Sequence, residues 1–219
     1  MNPVCATGSA LEPVDVVIVA PRLSIASTHG AGLMPELVMC THRQLFVATS
    51  ASLYASYDLK RIYYAAFSPI PDSSRLLPLK AAPLRREHRL YQADWLYRFY
   101  GFSAGEIAES MTGGMLDLDI DPKLAWALRN RARFPVDVNT AAREQLLRIP
   151  GLGKRTVDRI VAARRHRALR LDDLARLSGA IRRARPFIVA ADYCPRDEHT
   201  STRLRAALAP PPTQLSLFG

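Results

Sequence analysis

The sequence predicts an α+β fold that is mainly α, and three observations carry that expectation. One strand-like run, Arg61-Ile-Tyr-Tyr-Ala-Ala-Phe67, is rich in branched and aromatic residues. From residue 83 onward the apolar residues recur at helical spacing instead of alternating. Two amphipathic stretches flank Pro150-Gly151-Leu152-Gly153, the composition of a tight turn between helices.

Residues 1–48 read as a poorly ordered leader. Val14-Asp-Val-Val-Ile-Val19 is the one candidate for a buried strand there, amid Gly, Ser, Pro and Thr. Residues 49–82 form the next segment. Ser50 to Tyr57 closes a helix, Asp58-Leu59-Lys60 turns, and the strand follows before a loop of Pro69, Pro71 and Asp72. That is one α-to-β unit of a parallel sheet. A single unit cannot make a sheet, so the segment reads as the end of something larger.

Residues 83–135 read as a helical linker. Leu84 to Phe102 is a strong helix, with Gly101 as its C-terminal stop. Tyr91, Trp95 and Phe99 recur every four residues along it. The periodicity favours an aromatic stripe packed in the core, and a platform on which bases stack is the second reading. Asp117-Leu-Asp-Ile-Asp121 sets three carboxylates at alternate positions. A hard cation is one use of such a set; the favoured use is Asp121 as helix cap, with Pro122 at the first helical position. Lys123 to Arg133 is then a helix with Leu124, Ala127 and Leu128 inward, ending before Pro135.

Residues 136–192 carry the clearest mechanism. Asn139 or Thr140 caps a helix that runs through Arg148, and a second runs from Lys154 to about Arg165, burying Val157, Ile160 and Val161. The pattern resembles the helix-hairpin-helix motif: an apolar residue, Pro-Gly-apolar-Gly, a basic residue and an apolar helix. Two glycines let the backbone turn sharply and approach a phosphate. The N–H groups of the turn and the next helix point at the anion, aided by the helix dipole. Pro150, Gly151, Leu152, Gly153, Lys154, Arg155, Thr156 and Arg159 are the candidate DNA-binding residues. Such contacts hold the backbone without reading bases. Leu171 to Ile181 repeats the spacing with Ser178-Gly179-Ala180-Ile181 in the turn, a degenerate partner in which Arg182, Arg183 and Arg185 are further backbone contacts. Asp172 and Asp173 stand where some DNA glycosylases with such a hairpin place a catalytic Asp, but they open an amphipathic helix and lack that family's flanking residues.

Residues 193–219 read as a flexible tail. Ala209-Pro-Pro-Pro-Thr213 is an extended spacer, and Gln214-Leu215-Ser216-Leu217-Phe218 resembles the pentapeptide with which bacterial DNA polymerases and repair proteins bind the sliding clamp. Leu217 and Phe218 suit an apolar pocket, and Gln214 fixed hydrogen bonds.

The 219 residues include 30 Lys+Arg against 20 Asp+Glu, a net charge of +10. Residues 1–140 hold 14 basic and 13 acidic side chains, and residues 141–219 hold 16 and 7. The surplus therefore sits around the hairpin, which favours a nucleic acid partner. A hydrophobic content of 48% excludes wholesale disorder. Cys5, Cys40 and Cys194 are scattered, with no metal spacing and no disulfide framework, and favour a reducing cytoplasm. Met1 to Ala10 lacks the basic n-region of a signal peptide, and no apolar run approaches the ~20 residues of a membrane span. The expectation is a cytoplasmic, nucleoid-associated protein without a membrane partner.

Beyond the hairpin, residues 49–190 resemble the C-terminal part of the radical SAM family linked to DNA modification and repair. The stretches that carry it are Leu59 to Ile70, Leu84 to Phe102, Leu116 to Leu128 and the hairpin. The resemblance implies the remnant of a (β/α) barrel end, a helical linker and a helix-hairpin-helix domain. Members hold a [4Fe-4S] cluster on Cys-x3-Cys-x2-Cys and use S-adenosylmethionine, yet this sequence has no such loop. No catalytic residue and no cofactor ligand is carried over. The expected product is a truncated or frameshifted family member that binds DNA without catalysis. The alternatives are a subunit whose cluster-binding half is another chain, and a non-functional remnant.

Overall fold

A computed structural model describes residues 20–21, 50–51, 53–56, 61–64, 83–195 and 200–209. The chain divides into two units, Met1–Glu87 and His88–Gly219.

In the first unit, β1 (Ala20–Pro21) pairs with β2 (Ile62–Tyr63), with Ala20 opposite Tyr63. The pair is antiparallel, where the α-to-β unit predicted a parallel neighbour. Residues 50–51 and 53–56 are helical, as expected. They hold β2 in place: the Ile62 N–H donates to the Tyr54 hydroxyl at 3.2 Å, and the Tyr64 hydroxyl donates to Ser50 Oγ at 3.5 Å. Ile62 and Tyr64 are buried.

The second unit is almost wholly helical among its described residues. Helix α1 (Leu84–Tyr100) stops at Gly101, whose φ of 68° is the left-handed conformation that glycine adopts without penalty. The face it buries holds Ala93, Asp94 and Leu96. Trp95 is 55% exposed and Phe99 39%, so the aromatic stripe predicted for the core lies largely in solvent. Two arcs of α1 satisfy the helical period, and the smaller residues take the packed one. Ser103 and Glu106 form a reciprocal cap at α2 (Ala104–Glu109).

The centre of the unit is α3 (Pro122–Arg129), buried from Pro122 through Leu128. Its start is the predicted one: the Asp121 carboxylate accepts from the Leu124 N–H at 2.8 Å, and Pro122 is the first helical residue. Trp126 sits mid-way in a chain of edge-on rings, 5.3 Å from Phe102 and 6.3 Å from Phe134, which is 5.2 Å from Phe187.

Helices α4 (Arg143–Leu147) and α5 (Lys154–Ala163) form one hairpin, and α6 (Leu171–Leu177) and α7 (Ile181–Ala184) a second. Neither Asn139 nor Thr140 caps α4; Ala142 holds that position. Asn139 is spent on Leu169 instead, donating from Nδ2 to its carbonyl at 3.2 Å and accepting from its N–H at 2.7 Å. Thr140 donates to Asp137 at 3.1 Å. Val157 and Ile160 are buried, while Val161 is half-buried because the helix face turns outward there. A parallel pair closes the hairpins: β3 (Val136–Asp137) lies beside β4 (Ile188–Val189), with Val136 opposite Ile188.

The tail segment also carries structure. Helix α8 (Ser201–Leu208) buries Leu204, and Ser201 donates to the Leu128 carbonyl at 3.0 Å. The expected flexible tail is thus docked over these residues, because Leu204 supplies an apolar anchor and Arg205 pairs with Asp117.

Candidate nucleic-acid interface

Each residue of the hairpin turn has a separate local reason. Leu152 is buried and anchors the turn, and Pro150 is buried beside it. Gly151 has φ of 83°, and a Cβ there would lie 2.8 Å from the Ala180 carbonyl and 3.1 Å from Arg183 Cβ. Its missing side chain admits the second hairpin. The Ser178 hydroxyl donates to the Gly151 carbonyl at 3.4 Å across this contact. Gly153 is extended (φ −86°, ψ 164°) and is the N-cap of α5.

Gly153 offers no side-chain oxygen, so no N-cap side chain bonds the first turn of α5, and no acidic residue lies in that turn. The first N–H groups of a helix have no intrahelical partner and carry the positive end of its dipole. Around them stand Lys154 and Arg155, both exposed, with Arg159 one turn later and Thr156 half-buried. Lys154, Arg155 and Arg159 pair with no carboxylate among the described residues. Neighbouring cations are committed: Arg143 to Asp158 at 2.8 Å, Arg167 to Asp173 at 2.5 Å and Arg170 to Asp192 at 3.6 Å. Arg148 forks onto Glu106 at 2.8 and 3.0 Å and also reaches the Gly101 carbonyl at 3.2 Å. Burial pushes the Glu106 carboxyl up, but Arg148 and the Ser103 N–H outweigh it and hold the group below its usual value.

The second hairpin offers less than its sequence suggested. Arg183 pairs with Asp121, and the Arg185 guanidinium stacks 5.1 Å over the Tyr193 ring. Arg182 is exposed. Asp173 accepts the Arg170 N–H at 3.0 Å and caps α6.

Beneath the turn lies a residue the sequence reading passed over. Lys123 is buried, and its Nζ donates to the Leu152 carbonyl at 2.7 Å while sitting 4.7 Å over the Tyr100 ring. Burial is the main cause that lowers its pKa to about 7; Arg183 lowers it further and Asp121 opposes both. A cleft of about 420 Å3 opens between α1, the start of α3 and the turn, with Trp95, Tyr100 and Lys123 among its walls and Gly151 to Gly153 along one side. A lysine among aromatics was the available signal, but only the fold brings residues 95, 123 and 152 together.

Two carboxylates of the acidic triplet serve the fold. Asp117 accepts from the N–H of Asp119 at 2.8 Å and pairs with Arg205, which also lies 3.6 Å from Asp119. Asp121 caps α3. Among the described residues no three His, Cys, Asp or Glu are placed to hold a metal. The radical SAM cluster requires three cysteines on one short loop; Cys194, exposed and remote in sequence from Cys5 and Cys40, does not fit that requirement. Gln214, Leu215, Ser216, Leu217 and Phe218 lie outside the described residues. No described helix is long and apolar enough to cross a membrane. The chain matches no protein-family model, no curated protein and no solved structure.

Proposed function

We propose that this chain binds DNA through the phosphate backbone, without base specificity, and serves DNA repair or modification. The observation that carries the reading is the uncapped start of α5, presented by a Pro-Gly-Leu-Gly turn and ringed by Lys154, Arg155 and Arg159, none of them tied to a described carboxylate. The N–H groups after Gly153 and the three cations take two or three consecutive phosphates. Pro150, Gly151 and Leu152 hold the turn, and the Thr156 hydroxyl is a further donor. The repair role rests on the resemblance to the C-terminal part of the radical SAM family, and on the clamp-type peptide at residues 214–218, which would bring the protein to replicating DNA. No residue of this chain is assigned a catalytic step.

The test is binding to a labelled duplex across a salt series. Affinity should fall steeply with salt, since each neutralised phosphate adds roughly 0.9 to the logarithmic slope. The double variant Lys154→Glu/Arg155→Glu should bind more weakly and lower that slope by about 2. Unchanged affinity and slope would remove the hairpin from the interface.

A further inference from the structure

The cleft beside the hairpin turn has a composition that backbone binding does not explain. Its open side is aromatic: Trp95 is 55% exposed and meets Phe99 edge-on at 5.2 Å, while Tyr91 and Tyr100 line the cleft with it. Trp95 lies outside the buried face of α1, which holds Ala93, Asp94 and Leu96. The floor is Lys123 and Leu152, and Gln92 supplies an amide on the wall. The one carboxylate there, Asp121, is engaged by Arg183 and by the Leu124 N–H. About 420 Å3 lies within the ~300–1,000 Å3 of clefts that take small ligands. The backbone from Gly151 to Gly153 belongs both to this cleft and to the proposed phosphate site.

We infer that the cleft receives one unstacked base of the DNA strand whose phosphate lies on α5, with the Trp95 ring as its stacking surface. The inference rests on the hairpin reading of the previous subsection and deepens it, by naming DNA with an unpaired nucleotide as the preferred substrate. A nucleotide matches both halves of the site: an anion for the α5 N-terminus with Lys154 and Arg155, and a flat aromatic body for the cleft. An acidic peptide would match the rim but not the aromatic wall. A lipid surface would ask for a convex apolar face instead of a cleft. A base stacked in an intact duplex cannot enter, whereas a bulged, single-stranded or extruded base can, and each base stacked on an aromatic side chain strengthens binding.

The experiment compares a labelled duplex with the same duplex carrying one unpaired nucleotide, by fluorescence anisotropy. The wild-type chain should prefer the bulged DNA by about tenfold or more. Trp95→Ala should bring that ratio close to one, and Trp95→Phe should retain most of it. The side chain is largely exposed, so both variants should fold, which circular dichroism checks. Trp95 emission should also be quenched by the bulged DNA more than by the duplex, against the constant background of buried Trp126. A wild-type ratio near one, or a ratio that survives Trp95→Ala, overturns the cleft assignment while duplex binding stands. Absence of binding to either DNA overturns the hairpin reading and the cleft with it.

Discussion

Gly151 and Gly153 stand two positions apart in one turn and do different work. At Gly151 the backbone is left-handed, and the space a methyl group would need is taken by the Ala180 carbonyl at 2.8 Å. The contact is backbone, so it cannot swing aside. At Gly153 the backbone is extended and the nearest atom is a tyrosine hydroxyl at 3.7 Å. Gly151→Ala should therefore destabilise the fold by about 2–4 kcal/mol, from the left-handed penalty together with overpacking. Gly153→Ala should cost less than about 1 kcal/mol, the difference between glycine and alanine at an N-cap. Urea unfolding of the two variants measures both, and equal losses would refute the division of roles. The presence of a Gly-x-Gly turn was readable from residue identity alone. Which of the two glycines packs against the second hairpin was not, because Ala180 is 29 positions from Gly151.

At the scale of elements, sequence periodicity located helices better than it assigned their faces. Asp121-Pro122 fixed the start of α3, because a cap and a proline are local chemistry. The Tyr91, Trp95 and Phe99 stripe of α1 was assigned to the core, because an apolar arc says only that some face is apolar. The two-residue β3–β4 pair left no periodicity to find. Helix α5 offers a sharper argument, since its start is uncapped, basic and free of acidic residues. A cation there opposes the helix dipole, so Lys154 is placed against the stability of its own element. Lys154→Glu should raise stability by about 0.3–1 kcal/mol, read as a melting temperature higher by roughly 1–4 °C. The same variant should weaken duplex binding. Opposite signs in the two measurements mark a residue kept for a ligand; a fall in both would make Lys154 a structural residue.

For the whole molecule, the charge count and the ion pairs describe different things. The sequence concentrates the positive surplus in residues 141–219. The fold pairs Arg143, Arg167 and Arg170 with carboxylates of the same stretch, and draws on the surplus through Arg148, Arg183 and Arg205, whose partners Glu106, Asp121 and Asp117 lie outside it. Summed charge is additive along the chain and so was legible; pairing is set by partners up to 88 positions apart and was not. Lys154, Arg155 and Arg159 are among the cations that no described carboxylate pairs, and they stand at the start of α5. Helix α8 ends at Leu208, docked through Leu204 and Arg205, and the three prolines at 210–212 follow within four residues. The prolines separate the peptide at 214–218 in sequence from that helix. The proposed contacts to DNA and to a sliding clamp would, if both are made by one chain, reinforce each other through effective concentration. Leu217→Ala/Phe218→Ala should therefore abolish binding to a purified bacterial sliding clamp, since it empties the apolar pocket the pair would fill. Affinity for DNA alone should stay within about twofold of the wild type, because an exposed tail peptide contributes no phosphate contact. On primed DNA loaded with the clamp, the wild-type chain should be retained at salt concentrations that strip the variant. Equal retention of the two would show that the tail does not tether the protein.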